Sequence, residues 1–314
     1  MKVIQSPKVI DYIHLLILGA IWGSAFIAIE IAIENLTALQ VAMFRILLAG
    51  LFLVPFVLYK REKIPTNKKI WFYIFITALL NNAIPFSLIS FAQQHINSGT
   101  AAIILACGPF TTLIIGHIFT KDEKMSFTKL FGVILGFSGV FILFSQDIII
   151  QNDLSLMGKF SVFLASCCYV ISGFLIRKLT TISPLVCSCC MFFSSAIMMS
   201  PFVFSMQIPD FNNIGNSLYA IIFLAIVPTA LASLLRVNLI QRVGMQFVSL
   251  VSYLIPLFAI IWSVLFFSQV PKTSTWMAFL FIVLGLLISK IKFSFNVKSI
   301  NTIIFMGFKY FKFV

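Results

Sequence analysis

Apolar residues in this chain arrive in blocks of about twenty, separated by short polar breaks, a length that crosses about 30 Å of hydrocarbon as a helix. The blocks fall at 12–33, 37–58, 69–91, 98–119, 127–145, 157–176, 184–205, 216–238, 245–267 and 274–292, and they read as membrane spans. Composition leaves no soluble alternative. With 61% hydrophobic and 10% charged residues, a 314-residue chain has too few charges to cover a water-facing surface. The first block is too long for a signal-peptide core and no A-x-A-like site follows it, so the span is expected to be retained.

The basic residues give the orientation. Of the 22 Lys and Arg, 19 fall on alternate connections. The opposite connections receive only Lys159 and Lys272, and Arg45 lies inside a span. That asymmetry is the positive-inside pattern for ten spans with both termini cytoplasmic. The expected fold class is therefore an all-α integral membrane protein of ten transmembrane helices. The net charge of +13 could suggest nucleic acid, but no soluble domain offers a basic face, so no nucleic-acid partner is expected. The partners expected are a small-molecule solute and the lipid bilayer, with homodimerisation left open.

Six cysteines (Cys107, Cys167, Cys168, Cys187, Cys189 and Cys190) all lie within spans, without CxxC spacing and far from His14, His95 and His117. They read as small packing residues, not as a metal site or a disulfide framework. No metal and no cofactor is expected.

The chain repeats itself. Residues 98–145 and 243–289 share a small-residue opening, a mid-helix proline, a short polar break and a glycine-bearing final span. Pro109 and Pro256 are 147 residues apart, Gly139 and Gly285 are 146 apart, and an offset of 147 places Trp22 over Tyr169. Five spans per half is an odd number, so two similar halves must lie inverted in the membrane. Inverted repeats are a mark of secondary transporters, with the substrate site near the midplane between the halves. The expected units are 1–145, 146–292 and a basic, aromatic cytoplasmic tail at 293–314 that rests on the anionic inner leaflet.

Several stretches sharpen this reading: "AIWGSAF" at Ala20–Phe26, "FRILLAG" at Phe44–Gly50, the run from Ile84 into the fourth span, Pro109, and "DEKMSFTKLFGVILGFSGV" from Asp122 to Val140. In these the chain resembles the EamA-type members of the drug/metabolite transporter superfamily, across about residues 12–292. Gln269 departs from the pattern, since such proteins usually carry an acidic residue after the ninth span. The resemblance implies a ten-helix transporter with a cavity between two inverted halves. It does not imply a substrate, because the superfamily moves amino acids, other metabolites and toxic cations.

Candidate residues follow from what a bilayer penalises. In "NNAIPFSLISFAQQ", Asn81 and Asn82 lie about twelve residues into the third span, near the bilayer centre. Pro85 has no N–H and deprives the Asn81 carbonyl of its helical partner, and a free carbonyl at that depth must face protein, water or ligand. Asn82 and Gln93 share one helix face with Ile89, and Ser87 lies on the neighbouring stripe. They line a solute path or hold the bundle together by interhelical hydrogen bonds. Pro109, Pro228 and Pro256 interrupt other spans in the same way, and the matched pair Pro109 and Pro256 points to the binding region. Trp22, Tyr169, Tyr253 and Trp262 are aromatics inside spans, able to stack on a solute or simply fill the core, and Ser249 and Ser252 add donors beside Tyr253. Glu30 and Arg45 lie toward the outer ends of the first two spans, where a pair would latch the helices, gate the outer mouth or bind a substrate carboxylate. Arg236 and His117 are expected to snorkel to the cytoplasmic face.

No nucleophile, metal cluster or acid/base pair converges in the spans, so an enzyme is not expected. The function expected is secondary transport of a small organic solute, an amino acid or related metabolite, outward across a bacterial inner membrane by alternating access. An importer or exchanger of a host or environmental metabolite, or a non-transporting membrane scaffold, are the alternatives.

Overall fold

The computed structural model describes residues 6–119, 127–149, 153–203, 214–268 and 273–290. The tail at 293–314 and Gln269 lie outside the described residues. The described chain is helical throughout: α1 (Val9–Ala32), α2 (Ala38–Tyr59), α3 (Lys68–Gln93), α4 (Ser98–Leu105, then Gly108–Phe119), α5 (Phe127–Ile149), α6 (Asp153–Ile176), α7 (Pro184–Val203), α8 (Gly215–Val243), α9 (Met245–Val248, then Val251–Phe267) and α10 (Thr273–Lys290). Seven of these, α1–α4 and α6–α8, are long and apolar enough to cross a membrane. Shorter apolar stretches lie at Leu130–Gly139, Val251–Phe267 and Thr273–Gly285.

The ends are set by local chemistry. Thr37 and Gln40 form a reciprocal capping box at the start of α2, with the Thr37 N–H donating to Gln40 Oε1 over 2.8 Å and the Gln40 N–H to Thr37 Oγ1 over 3.3 Å. Asn67 and Asn97 cap α3 and α4 by accepting the N–H of Lys69 and Thr100, each over 2.8 Å. Gly244, at φ 90°, makes the one-residue turn between α8 and α9 that a side chain would strain.

The main helix pairings recur when each helix is exchanged for its counterpart five places along. Helices α2 and α7 pack on each other, as do α5 and α10. The pair α1 and α9 has its mate in α6 and α4, and α3 against α6 and α7 is mirrored by α8 against α1 and α2. The two halves are thus interleaved, not side by side. The repeat glycines explain one of these seams. A Cβ on Gly285 would lie 2.5 Å from the Gly132 carbonyl, and one on Gly139 would lie 2.5 Å from the Ala278 carbonyl. Only glycine lets the α5 and α10 backbones meet this closely, the small-residue packing typical of helices in lipid.

Large apolar side chains cover the outside. Val9, Tyr59, Phe127 and Tyr219 are each more than 70% exposed, far more apolar display than a soluble monomer tolerates and what a bilayer-facing surface requires.

Candidate functional site

Both α3 and α8 carry a widened turn at their middle, π-helical at Leu79–Ala83 and at Ala225–Leu231. Residue 79 to residue 225 is an offset of 146, so the bulges occupy counterpart places in the two halves. Proline accounts for the local geometry. Pro85 cannot donate to the preceding turn, and the Ile84 N–H reaches five residues back to Leu79 O, while Pro228 sits inside the second bulge. The extra residue turns Asn81 and Asn82 together into the bundle, 6% and 0% exposed.

The two bulges face a central cavity that, together with the open solvent at its mouth, spans roughly 920 Å³. Its wall draws on both halves: Trp22, Phe26 and Ile29 of α1, Arg45 of α2, Asn81, Asn82, Phe86 and Ile89 of α3, Ser166, Tyr169 and Val170 of α6, Phe192 of α7, Pro228, Thr229, Ser233 and Arg236 of α8, and Val248, Ser249, Val251, Ser252 and Ile255 of α9. Gly108, at the break in α4, also lines it, and a Cβ there would lie 3.2 Å from Ser252 Oγ. No lining residue is acidic.

Two arginines dominate the polar groups. Arg236 donates through Nη1 to Asn81 Oδ1 and through Nη2 to the Tyr169 carbonyl over 3.0 Å and to Ser172 Oγ over 3.4 Å. The chain of amides continues from Asn81 Nδ2 to Asn82 Oδ1 over 2.9 Å and from Asn82 Nδ2 to Ser195 Oγ over 3.2 Å. Arg45 donates through Nε to Thr229 Oγ1 over 3.0 Å, and its Cζ lies 3.8 Å from the centroid of the Phe86 ring. The Tyr169 ring lies 5.8 Å from Arg236 Cζ. An arginine at mid-bilayer costs about 2.5–3.5 kcal/mol on insertion scales, which a cation–π contact of about 0.5–2 kcal/mol offsets only in part. The remaining partners are neutral oxygens.

Of the twelve residues expected at a cavity, Trp22, Asn81, Asn82, Tyr169, Ser249 and Ser252 line this one. The other six lie behind its wall. Pro85, Pro109 and Pro256 are buried in packing. Ser87 Oγ bonds back to the Ala83 carbonyl over 2.8 Å, and Gln93 Nε2 donates to the Phe26 carbonyl over 2.7 Å. Tyr253 buries its hydroxyl without a partner among the described residues. The prolines matched by sequence also sit differently, because Pro109 is the second residue after the break in α4 and Pro256 the sixth after the break in α9. Glu30 accepts the Ser98 hydroxyl, and Arg45 turns to Thr229 and Phe86.

Arg236 corrects an expectation. Rather than snorkelling, it is 6% exposed and lines the cavity. The reason is length: α8 runs to Val243, five residues past the expected end of its span, so Arg236 lies two turns inside. Thr229, Ser166 and Phe86 were also missed, since such residues are common in any span and carry no signal of their own.

Comparison with known proteins agrees with the repeat and the fold. The sequence pattern of the EamA-like transporter family matches this chain twice, over residues 10–145 and 156–291. Among curated relatives, an uncharacterized transporter of Buchnera aphidicola is 28% identical over 160 residues, covering 50% of this chain and 52% of its own. The chain therefore spans about half the length of that relative. The uncharacterized transporter YdfC of Bacillus subtilis is 25% identical over 260 residues, 82% of this chain and 83% of its own. A solved crystal structure, only 12% identical, superposes with a TM-score of 0.66 over 90% of this chain and 97% of its own, which shows a shared fold. With the family pattern met once in each half, the chain belongs to the EamA-like transporter family.

Proposed function

We propose that this protein is a secondary transporter that moves a small organic solute, an amino acid or related metabolite, out of a bacterial cell across the inner membrane by alternating access. The observation that carries the reading is the central cavity, walled by both halves and faced by two counterpart bulged helices. A bulge leaves backbone groups that lipid cannot satisfy, so it belongs where a protein lines a path. In this reading the ten helices are ten spans, the five-helix units 1–145 and 146–292 are inverted, both termini are cytoplasmic, and rocking one unit against the other exposes the cavity to each side in turn. The basic residues on alternate connections support that orientation.

Purified protein in liposomes preloaded with radiolabelled amino acids and metabolites tests this. The expected result is saturable release of at least one solute, absent from protein-free vesicles. Failure of amino acids, carboxylates, phosphate esters and cationic dyes alike to cross, with a control transporter working, would sink the proposal.

A further inference from the structure

We infer that the solute taken by the central cavity is a small organic anion, its carboxylate or phosphate group held by the guanidinium groups of Arg45 and Arg236. The inference rests on the transporter reading for what happens after binding, but not for binding itself.

The cavity is a positively charged site enclosed in a low-dielectric bundle. Both arginines line it, at 4% and 6% exposure, and neither pairs with a carboxylate among the described residues. The protein partners they do have, Thr229 Oγ1, Asn81 Oδ1, Tyr169 O and Ser172 Oγ, satisfy N–H groups without neutralising charge. Arg45 bonds to Thr229 through Nε, at one edge of a guanidinium fork that belongs to the cavity wall. That fork matches the spacing of two oxygens on a carboxylate or phosphate.

Charge decides among solute classes. With two fixed positive charges and no acidic residue on the wall, a cation meets repulsion that grows as water leaves the cavity. A zwitterion gains at its carboxylate and loses at its ammonium group. An anion gains throughout, and Phe26, Ile29, Phe86, Ile89 and Phe192 offer its carbon frame an apolar surface. Arg236 is itself held in place by Asn81, so the amides of α3 position the charge.

The test uses the full-length protein in detergent. Its thermal unfolding midpoint is titrated with succinate, glycerol 3-phosphate, leucine and tetraphenylphosphonium, and the same four are offered in liposome counterflow. Succinate or glycerol 3-phosphate should raise the midpoint saturably and more than leucine or the cation, and whichever of the two is stronger names the oxyanion. Arg45→Gln and Arg236→Gln should each weaken that binding about tenfold or more, with Arg236→Lys recovering part of it by restoring charge without the fork. Stronger stabilisation by leucine or tetraphenylphosphonium, no saturable stabilisation by either anion, or anion binding undiminished in folded Gln variants overturns the inference. If the variants do not fold, the ranking of the four solutes on the wild-type protein decides alone. Anion binding without any solute crossing would overturn the transport reading and leave this site standing. Transport of leucine or the cation with no anion binding would do the reverse.

Discussion

The indole Nε1 of Trp22 donates to the carbonyl of Pro228, 3.1 Å away, so that an aromatic residue of the first half is fastened to the bulge of the second. On the opposite side, Ser172 of α6 donates through Oγ to Asn81 Oδ1 in the bulge of α3 over 3.1 Å. Each half thus holds the irregular turn of the other, and the cavity lies between these two junctions.

Trp22→Phe keeps an aromatic ring and removes the donor. Membrane hydrogen bonds are worth about 0.6 kcal/mol on average, so the thermal midpoint should fall only slightly. Transport by the reconstituted variant should fall much further, because the α1–α8 junction at the cavity wall is loosened. Wild-type transport rates in this variant would reduce the indole to a space-filler.

Asn82→Leu removes both an acceptor for Asn81 and a donor to Ser195 at a fully buried position. Unpaired buried polar partners cost about 1–3 kcal/mol, which a chain this size survives. Expression and membrane insertion should persist while transport is abolished, since Asn81 no longer holds Arg236. Normal flux through this variant would assign Asn82 to packing alone.

Gly285→Val should prevent folding. Its Cβ would lie 2.6 Å from the Gly136 backbone nitrogen, which cannot yield without parting α5 from α10. Gly99→Ala is the control, since the nearest atom there is 3.8 Å away. Size-exclusion profiles in detergent should show aggregate for the first and a wild-type peak for the second. A wild-type peak from Gly285→Val would mean the two helices meet less closely than described.

Arg242 of α8 pairs with Asp11 of α1, and the two partners differ in burial, at 38% and 1% exposure. Removing one should therefore not equal removing the other. Arg242→Gln strands a buried carboxylate, which costs about 3–5 kcal/mol, whereas Asp11→Asn frees a cation that reaches water, for less than about 1 kcal/mol. Thermal midpoints of the two single variants and the double variant check this. Equal losses would place the pair in a single environment.

The bundle was readable from the sequence because apolar length and charge asymmetry are strong, additive signals. The repeat was readable too, through Gly139 and Gly285, which share a helix seam. What escaped was register. Reading α3 with a period of 3.6 put Asn82 and Gln93 on one face, but the bulge inserts a residue, so Asn81 and Asn82 line the cavity and Gln93 turns to Phe26. Proline signals an interruption without saying whether the helix kinks, breaks or widens. Arg236 escaped because the expected span ends at residue 238, two residues beyond it, whereas the helix runs on to Val243 and draws Arg236 inside.

The widened turns have a historical consequence. An inserted residue weakens a helix, and two independent insertions at one offset in both halves would be a coincidence. One insertion, made before the gene doubled, explains both. The ancestral five-helix chain then already carried half of a pocket, and under the inverted arrangement proposed above it worked by meeting an upside-down copy of itself. That copy has since become the second half of this molecule, free to acquire an Arg236 of its own.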